Sequence, residues 1–345
     1  MRFGIHISMQ HPEDTPTHEI IEHTLAQVRL AREMGLDSIS MGHHYVSAPF
    51  RKPQLAPIAA RLAPELGGME FQTGIFLLPL HHPVEVAETW ATIDVLTGGR
   101  LVFGVGLGYR DEEFSALGIP KRHRVGRFEE ALQLLPALWS GEEVCFQGRH
   151  FQLERVRIGV LPLQRPHPPI AIGTVSEPAF RRAGRLGLPC IVSGQIDPDE
   201  LERLLGVYRE ELQAHGHPFP GRLYAHRELY LASTRQKAID ESLPYLMGKY
   251  EAYTRWGMGD ILRGGIAAGR DEFIAMMLER FLVGTPDDCV DKILEIRQRY
   301  GVTDLACRVH WAGLPWAQVA RTIELFAREV VPAVREAVAR QGERA

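Results

Sequence analysis

Residues 73–120 read TGIFLLPLHHPVEVAETWATIDVLTGGRLVFGVGLGYRDEEFSALGIP. An apolar run ends in Leu-Pro and His-His-Pro. A helical stretch then opens at Pro83, where proline suits a first turn. Gly98-Gly99-Arg100 closes that stretch, and a second apolar run, Leu101 to Val105, leads into Gly106-Leu107-Gly108-Tyr109. The order is strand, helix, strand, with polar or glycine-rich residues at both strand exits.

The same alternation runs outward along the chain. Apolar runs bounded by turn residues predict strands over 2–8, 37–41, about 71–78, 101–105, 169–173, 188–193, 223–232 and 303–309. Helical spacing predicts helices over 17–35, 54–66, 83–96, about 122–140 and 315–338. In the first of these, Ile20, Ile21, Leu25, Val28 and Ala31 share a face and Gly35 is the stop. Residues 144–153 read as a small hairpin. The stretch 155–169 holds four prolines and reads as an extended surface connector. Eight strands with interleaved helices fit an α/β fold, a (β/α)8 TIM barrel with insertions, as one domain over 1–345. The pattern breaks at about 248–276, where Trp256-Gly-Met-Gly and Gly264-Gly-Ile-Ala-Ala-Gly are turn-rich. Long irregular segments in compact domains are commonly binding loops, so this insertion is expected over the barrel mouth.

Composition narrows the function. The 345 residues are 45% hydrophobic and 24% charged, the balance of a soluble globular protein. A net charge of −4 argues against nucleic acid as a main partner. Cys145, Cys190, Cys289 and Cys307 have no metal or redox spacing and read as buried thiols of a reducing cytoplasm. The first residues, MRFGIHIS, form a strand rather than a signal peptide. No apolar run is long enough to span a bilayer. A cytoplasmic protein with no membrane partner is expected.

In such barrels chemistry sits at the C-terminal ends of the strands. That rule selects Gly42-His43-His44-Tyr45, Leu80-His81-His82-Pro83, Gly106 to Tyr109, Gly173-Thr174-Val175-Ser176, Ser193-Gly194-Gln195 and Arg308-Val309-His310-Trp311. Histidine is abundant there, and imidazole is both a metal ligand and a proton carrier near neutral pH. No Asp or Glu accompanies the histidines at those exits, so no metal is expected. Strand alternation would send one histidine of each pair to the cavity and the other to the helix layer. At the fifth exit Ser176 stands at the N-cap position before Glu177-Pro178. That turn is either ordinary capping or an anion site built on free backbone N–H groups. The Gly-Val-Gly-Leu-Gly run lacks dinucleotide-binding spacing and instead suits close approach of a flat ligand to backbone.

Several motifs in order carry a resemblance over roughly Arg2 to Pro332. They are HHY at 43–45, LLPLHHPVEVAE, GGRLVFGVGLGYRDEEFSALGIP, RFEEAL at 127–132, QRPHPPIAIGTVSE, FLVGTPDD and IELFAREVVP. The chain resembles the bacterial luciferase-like flavin-dependent oxidoreductases. The resemblance implies a barrel that holds reduced FMN, or a deazaflavin coenzyme of the F-420 type, in its mouth. Many such proteins oxidise a small organic substrate with dioxygen.

Residue by residue, His43 matches a catalytic acid or base. Gly74 and Ile75 match a pair joined by a non-proline cis peptide against the isoalloxazine ring. Gly106 matches the position under the flavin's reactive face. Gly173, Thr174, Val175 and Ser176 match the phosphate-holding turn, and Ser193 a strand end near the ring. His44, Tyr45, Leu78, Tyr109 and Trp311 are candidates for the substrate pocket.

Two positions depart from the luciferase pattern. Leu107 stands where luciferase has a phosphate-binding arginine, and Gly42 replaces an acidic residue. Light emission from a long aldehyde is therefore not implied. The expected function is an FMN-dependent monooxygenase acting on a small apolar molecule. It would be fed by a separate flavin reductase, because no nicotinamide fingerprint is present, and would form a homodimer. The alternatives are a deazaflavin-dependent dehydrogenase or reductase, a non-catalytic flavin-binding protein, and a metal-dependent hydrolase.

Overall fold

The protein, described from a computed structural model that covers residues 1–258 and 269–342, is built on eight parallel strands. They are β1 (Arg2–Ile7), β2 (Ser38–Met41), β3 (Glu70–Thr73), β4 (Leu101–Gly106), β5 (Ile170–Thr174), β6 (Cys190–Ser193), β7 (Tyr224–Leu231) and β8 (Asp304–Arg308). Each pairs with its sequence neighbour. β8 returns to β1 through the register Arg2↔Asp304, which closes the ring and leaves no barrel edge unpaired. Helices pack around it, so this is the (β/α)8 barrel that the alternating pattern predicts.

The departures from expectation are local. The predicted third strand is broken: β3 ends at Thr73, a cis peptide joins Gly74 to Ile75, and Phe76–Leu77 then pairs with β4. Leu78–Leu80 turns as a short 3-10 helix. The predicted hairpin is present, with Val144–Gln147 antiparallel to Gln152–Val156. Leu282–Gly284 adds a short strand beside β7 that the sequence pattern did not suggest. The final helix is interrupted by a π turn at Phe326–Val330. The insertion expected over 248–276 is partly regular. Helix Arg235–Tyr253 runs into a π turn at Thr254–Met258, and another helix spans Arg270–Arg280. Residues 259–268 lie outside the described part.

The helix layer is held by aromatic packing. Helix Pro83–Leu96 buries Val86, Trp90 and Ile93, and the Trp90 ring sits 5.0 Å from Phe103 on β4 and 5.3 Å from Phe76. Burial of one such side chain stabilises by roughly 1.5–3 kcal/mol. Asp94 on the same helix accepts from the Gln164 backbone N–H at 3.0 Å and from Gln164 Nε2 at 2.7 Å. The proline-rich connector is thereby tied down to the helix layer. Cys190, Cys289 and Cys307 are buried, but Cys145 is exposed on the hairpin, where alternate residues face solvent.

The barrel interior is layered. At the N-terminal end Arg222 bonds both oxygens of Glu70, at 3.0 and 2.8 Å, and also bonds Asp304. Above this plug Val102, Ala171, Ile191 and Tyr224 form an apolar layer. Next comes a polar layer. Ser40 Oγ lies 3.1 Å from both His6 Nδ1 and His226 Nε2, and His226 also reaches Gln72 Oε1 at 3.4 Å. Burial first, then the nearby Arg308, lowers the pKa of both histidines, that of His226 to about 3. They are therefore neutral hydrogen-bonding groups, and they form the floor on which the site rests.

Candidate active site

A cavity of about 300 Å3 opens at the C-terminal ends of the strands. Its floor is the cis-linked Gly74–Ile75 pair. A Cβ at Gly74 would overlap Ser40 Oγ and His226 Cε1, so this position admits only glycine above the polar layer. Ile75 lays its side chain across the barrel. A Cβ at Gly106 would overlap Ile75 Cδ1, and one at Gly173 would lie 2.8 Å from Ile75 Cγ2. The two glycines accommodate this isoleucine, which leaves a flat ledge facing the cavity. Gly106 lies below the ledge and does not line the cavity. Gly106 was expected under the face of the flavin; Ile75 occupies the space on its cavity side.

Thr174, Val175 and Ser176 line one side. Ser176 occupies the N-cap position of helix Glu177–Arg185, but its side chain makes no capping bond. The hydroxyl is thus left for another partner at a helix end that favours anions. Arg124 and Arg182 line the same side. Arg124 donates to the Gly108 carbonyl at 3.0 Å, and Arg182 to Glu129 at 2.9 Å. Positive charge is therefore present here although position 107 is leucine. Neither arginine stood at a strand exit, which is why the sequence reading passed over them.

His43 and His44 both line the cavity, against the expectation that alternation would separate them. β2 ends at Met41, so the pair lies in a loop where strand alternation no longer applies. His43 stacks on Phe76 with ring centroids 4.9 Å apart. Its Nε2 lies 3.2 Å from Gln54 Oε1, and its Nδ1 accepts the Leu77 backbone N–H at 3.5 Å. Burial, then His81, lowers its pKa well below the ordinary histidine value, so it is neutral at physiological pH. His44 Nδ1 lies 2.9 Å from Oε1 of the fully buried Glu113. This carboxylate partner sits on a short helix at Asp111–Ala116 that the sequence reading did not identify. His81 and His82 do not line the cavity. His81 meets Glu85 at 3.2 Å, and His82 caps the helix that follows it by accepting from the Val84 N–H.

Of the expected pocket residues, Tyr109 lines the cavity, as does Ser193 on the cofactor side. Tyr45, Leu78 and Trp311 do not. Tyr45 packs its ring on His43 at 4.7 Å. Leu78 is fully buried in the main hydrophobic core, within the 3-10 turn. Trp311 is also buried, and its Nε1 donates to Glu228 Oε2 at 2.5 Å. The expectation of a substrate wall at Leu78 and Trp311 is therefore corrected. Tyr250, Tyr253, Gly257 and Met258 line the outer part of the cavity. Trp256 fixes their segment by donating to the Ala48 carbonyl at 3.1 Å and by lying 4.0 Å beneath the Arg110 guanidinium.

The sequence reading missed one more cluster. Glu228, on β7, is buried and lines the cavity. It accepts from Lys249 Nζ, from Tyr250 Oη at 3.0 Å and from Arg308 Nη1 at 2.6 Å. Burial would raise its pKa, but Arg308 and Lys249 outweigh this and lower it to about 2. Among the described residues no group of three or more metal-ligating side chains is arranged to hold a metal ion.

Comparison with known proteins agrees with this geometry. The family model for luciferase-like monooxygenases matches residues 1–304. A 4-hydroxyprotoasukamycin monooxygenase from Streptomyces nodosus subsp. asukaensis is 25% identical over 346 residues, covering 96% of this chain and 91% of the relative. An F420-dependent glucose-6-phosphate dehydrogenase from Microbacterium testaceum is 32% identical over 200 residues, covering 54% of this chain and 57% of that protein. The oxygenating constituent of 3,6-diketocamphane monooxygenase from Pseudomonas putida, solved in complex with FMN, superimposes with a TM-score of 0.82. It is 21% identical and covers 96% of this chain and 98% of its own.

Proposed function

This chain belongs to the luciferase-like monooxygenase family and is a flavin-dependent enzyme of that type, and from that premise we propose that it holds reduced FMN in the barrel mouth and oxidises a small organic substrate with dioxygen. One observation carries the cofactor assignment. A flat ledge at Ile75 and an anion-ready turn at Ser176 open on the same cavity. That pairing suits a planar ring joined to a phosphate. In this reading Ser176 and the backbone N–H groups beside it hold the phosphate. Arg124 and Arg182 supply the charge that Leu107 does not.

When bound, reduced FMN supplies the electrons that activate dioxygen for transfer of one oxygen atom to substrate. The protein orients the ring on Ile75. It excludes water with Leu77, Phe281, Tyr253 and Met258, all of which line the cavity. His43 is the proton carrier in this reading. Its Nδ1 is held only by the long Leu77 contact and can accept a proton there, while Gln54 fixes the ring through Nε2. A separate reductase delivering reduced FMN, a homodimer and a cytoplasmic setting belong to the same reading. The four free cysteines suit the last of these, and among the described residues no helix is long and apolar enough to cross a membrane.

The dehydrogenase relative keeps a second reading in view, hydride transfer from a deazaflavin. Anaerobic titration with reduced FMN and, in parallel, with the reduced deazaflavin coenzyme separates the two. Saturable reduced-FMN binding, followed by reaction when dioxygen is admitted, supports the monooxygenase. Selective deazaflavin binding without an oxygen reaction replaces it with the dehydrogenase.

A further inference from the structure

The cavity has two positively charged ends. One is the Ser176 side, assigned above to the cofactor phosphate. The other lies across the mouth, where β7, β8 and the loop after β2 meet. There a single carboxylate, Glu228, already bonds both Arg308 and Lys249. A third cation, Lys52, lines the same cavity. Among the described residues it has no hydrogen-bond acceptor and no acid at ion-pair distance. Glu113 acts on it only at longer range and is already bonded by His44 and the Tyr45 backbone N–H.

Lys52 is part-exposed and its side chain lines the cavity with no acid beside it, so an anion entering the cavity can pair with its ammonium. Lys52 lines the cavity together with Ile75, His6, His43 and His44. The same cavity also carries apolar surface, from Leu77, Tyr253, Met258 and Phe281. A ligand that fits both features has an apolar body and one anionic head.

We propose that Lys52, backed by Arg308, is an anion-recognition site for the carboxylate, phenolate or enolate of an organic-acid substrate. The proposal rests on the functional reading above and narrows it, since a purely apolar substrate would leave Lys52 unmatched. The same delocalised negative charge could also come from the ring of reduced flavin, so the experiment separates the two sources.

Benzoate and its neutral counterpart benzamide are titrated calorimetrically into the FMN-loaded protein, as wild type, Lys52→Met and Lys52→Arg. The proposal expects benzoate to bind at least tenfold more tightly than benzamide to the wild type. Lys52→Met should erase that preference and Lys52→Arg should keep it. Benzoate binding no tighter than benzamide to the wild type, including no binding of either, overturns the proposal. So does a preference that survives in Lys52→Met.

In a second arm, oxidised and reduced FMN are titrated anaerobically into the same proteins. If Lys52→Met weakens reduced FMN tenfold more than oxidised FMN, while benzoate and benzamide remain indistinguishable, the anion is the flavin ring and the substrate assignment falls. If wild type binds no FMN at all, the functional reading fails instead. The benzoate preference can then still be read on the free protein.

Discussion

Ile75 occupies the space that a side chain at Gly106 would need, with its Cδ1 where a Cβ would project. The ledge under the proposed flavin is therefore set by two residues on different strand segments. Gly106→Ala should push Ile75 upward into the cavity. FMN affinity should fall at least tenfold, for a stability loss of about 1–3 kcal/mol from overpacking. Adding Ile75→Val removes the colliding methyl and should recover most of the affinity. A double variant no better than Gly106→Ala alone would contradict this coupling.

Ser176 makes no capping bond although it stands at the cap position. Ser176→Ala should therefore leave the urea midpoint nearly unchanged, where loss of an engaged cap would cost about 1 kcal/mol. FMN binding should weaken. A lowered midpoint with unchanged FMN affinity would show that the hydroxyl serves the helix and not a phosphate.

His43→Ala should slow the dioxygen reaction of the reduced-FMN complex while leaving FMN affinity within a few fold. Burial holds His43 neutral well below the usual histidine range. The wild-type rate should accordingly show no His43 ionisation near pH 6.5, as stopped-flow measurement between pH 5.5 and 8 would test. An inflection there that vanishes in His43→Ala would contradict the buried, neutral assignment.

The charge on Lys52 is sensitive to pH near neutrality. Burial first, then Arg308, lowers its pKa to about 7, while Glu113 opposes the shift; His6, His43 and His44, whose pKa values burial also lowers, line the same cavity. Lys52 is protonated below that value and loses its charge above it. Benzoate affinity should therefore fall as pH rises from 6 to 8, approaching tenfold per unit at the upper end. Lys249 is also lowered to about 7, so the control is Lys52→Met, whose profile should be flat.

Glu228→Gln should leave Lys249 and Arg308 without their acid and destabilise the fold by about 3–5 kcal/mol. The wild-type Glu228 pKa, about 2, is depressed from 4.5. Its contribution is thus fully present above pH 4.5 and is lost as pH falls toward 2, an effect of about 3 kcal/mol. Acid unfolding of Glu228→Gln should lack this component. Identical acid profiles for the two proteins would remove the assignment.

The barrel was legible because each strand is an apolar run closed by turn residues, and only its third strand misled. There the run continues through Leu78 while the chain bends at Gly74–Ile75. The Ser176 turn was visible as a motif. The cationic cluster was not, since Lys52, Glu228, Lys249 and Arg308 come from four separate segments, and only folding brings them together. A signal did exist, because Glu228 and Arg308 are charges on barrel strands, where a buried ion needs a partner. Trp311 misled for the opposite reason. An aromatic just past a strand end reads as pocket wall, but here its indole N–H is committed to Glu228.

The most direct test of the account is a crystal structure of this protein with FMN. The isoalloxazine ring should lie against Ile75 and the phosphate within hydrogen-bonding distance of Ser176, with Arg124 and Arg182 on the same side. FMN bound outside the barrel mouth, or with its phosphate at the Lys52–Arg308 end, would contradict it.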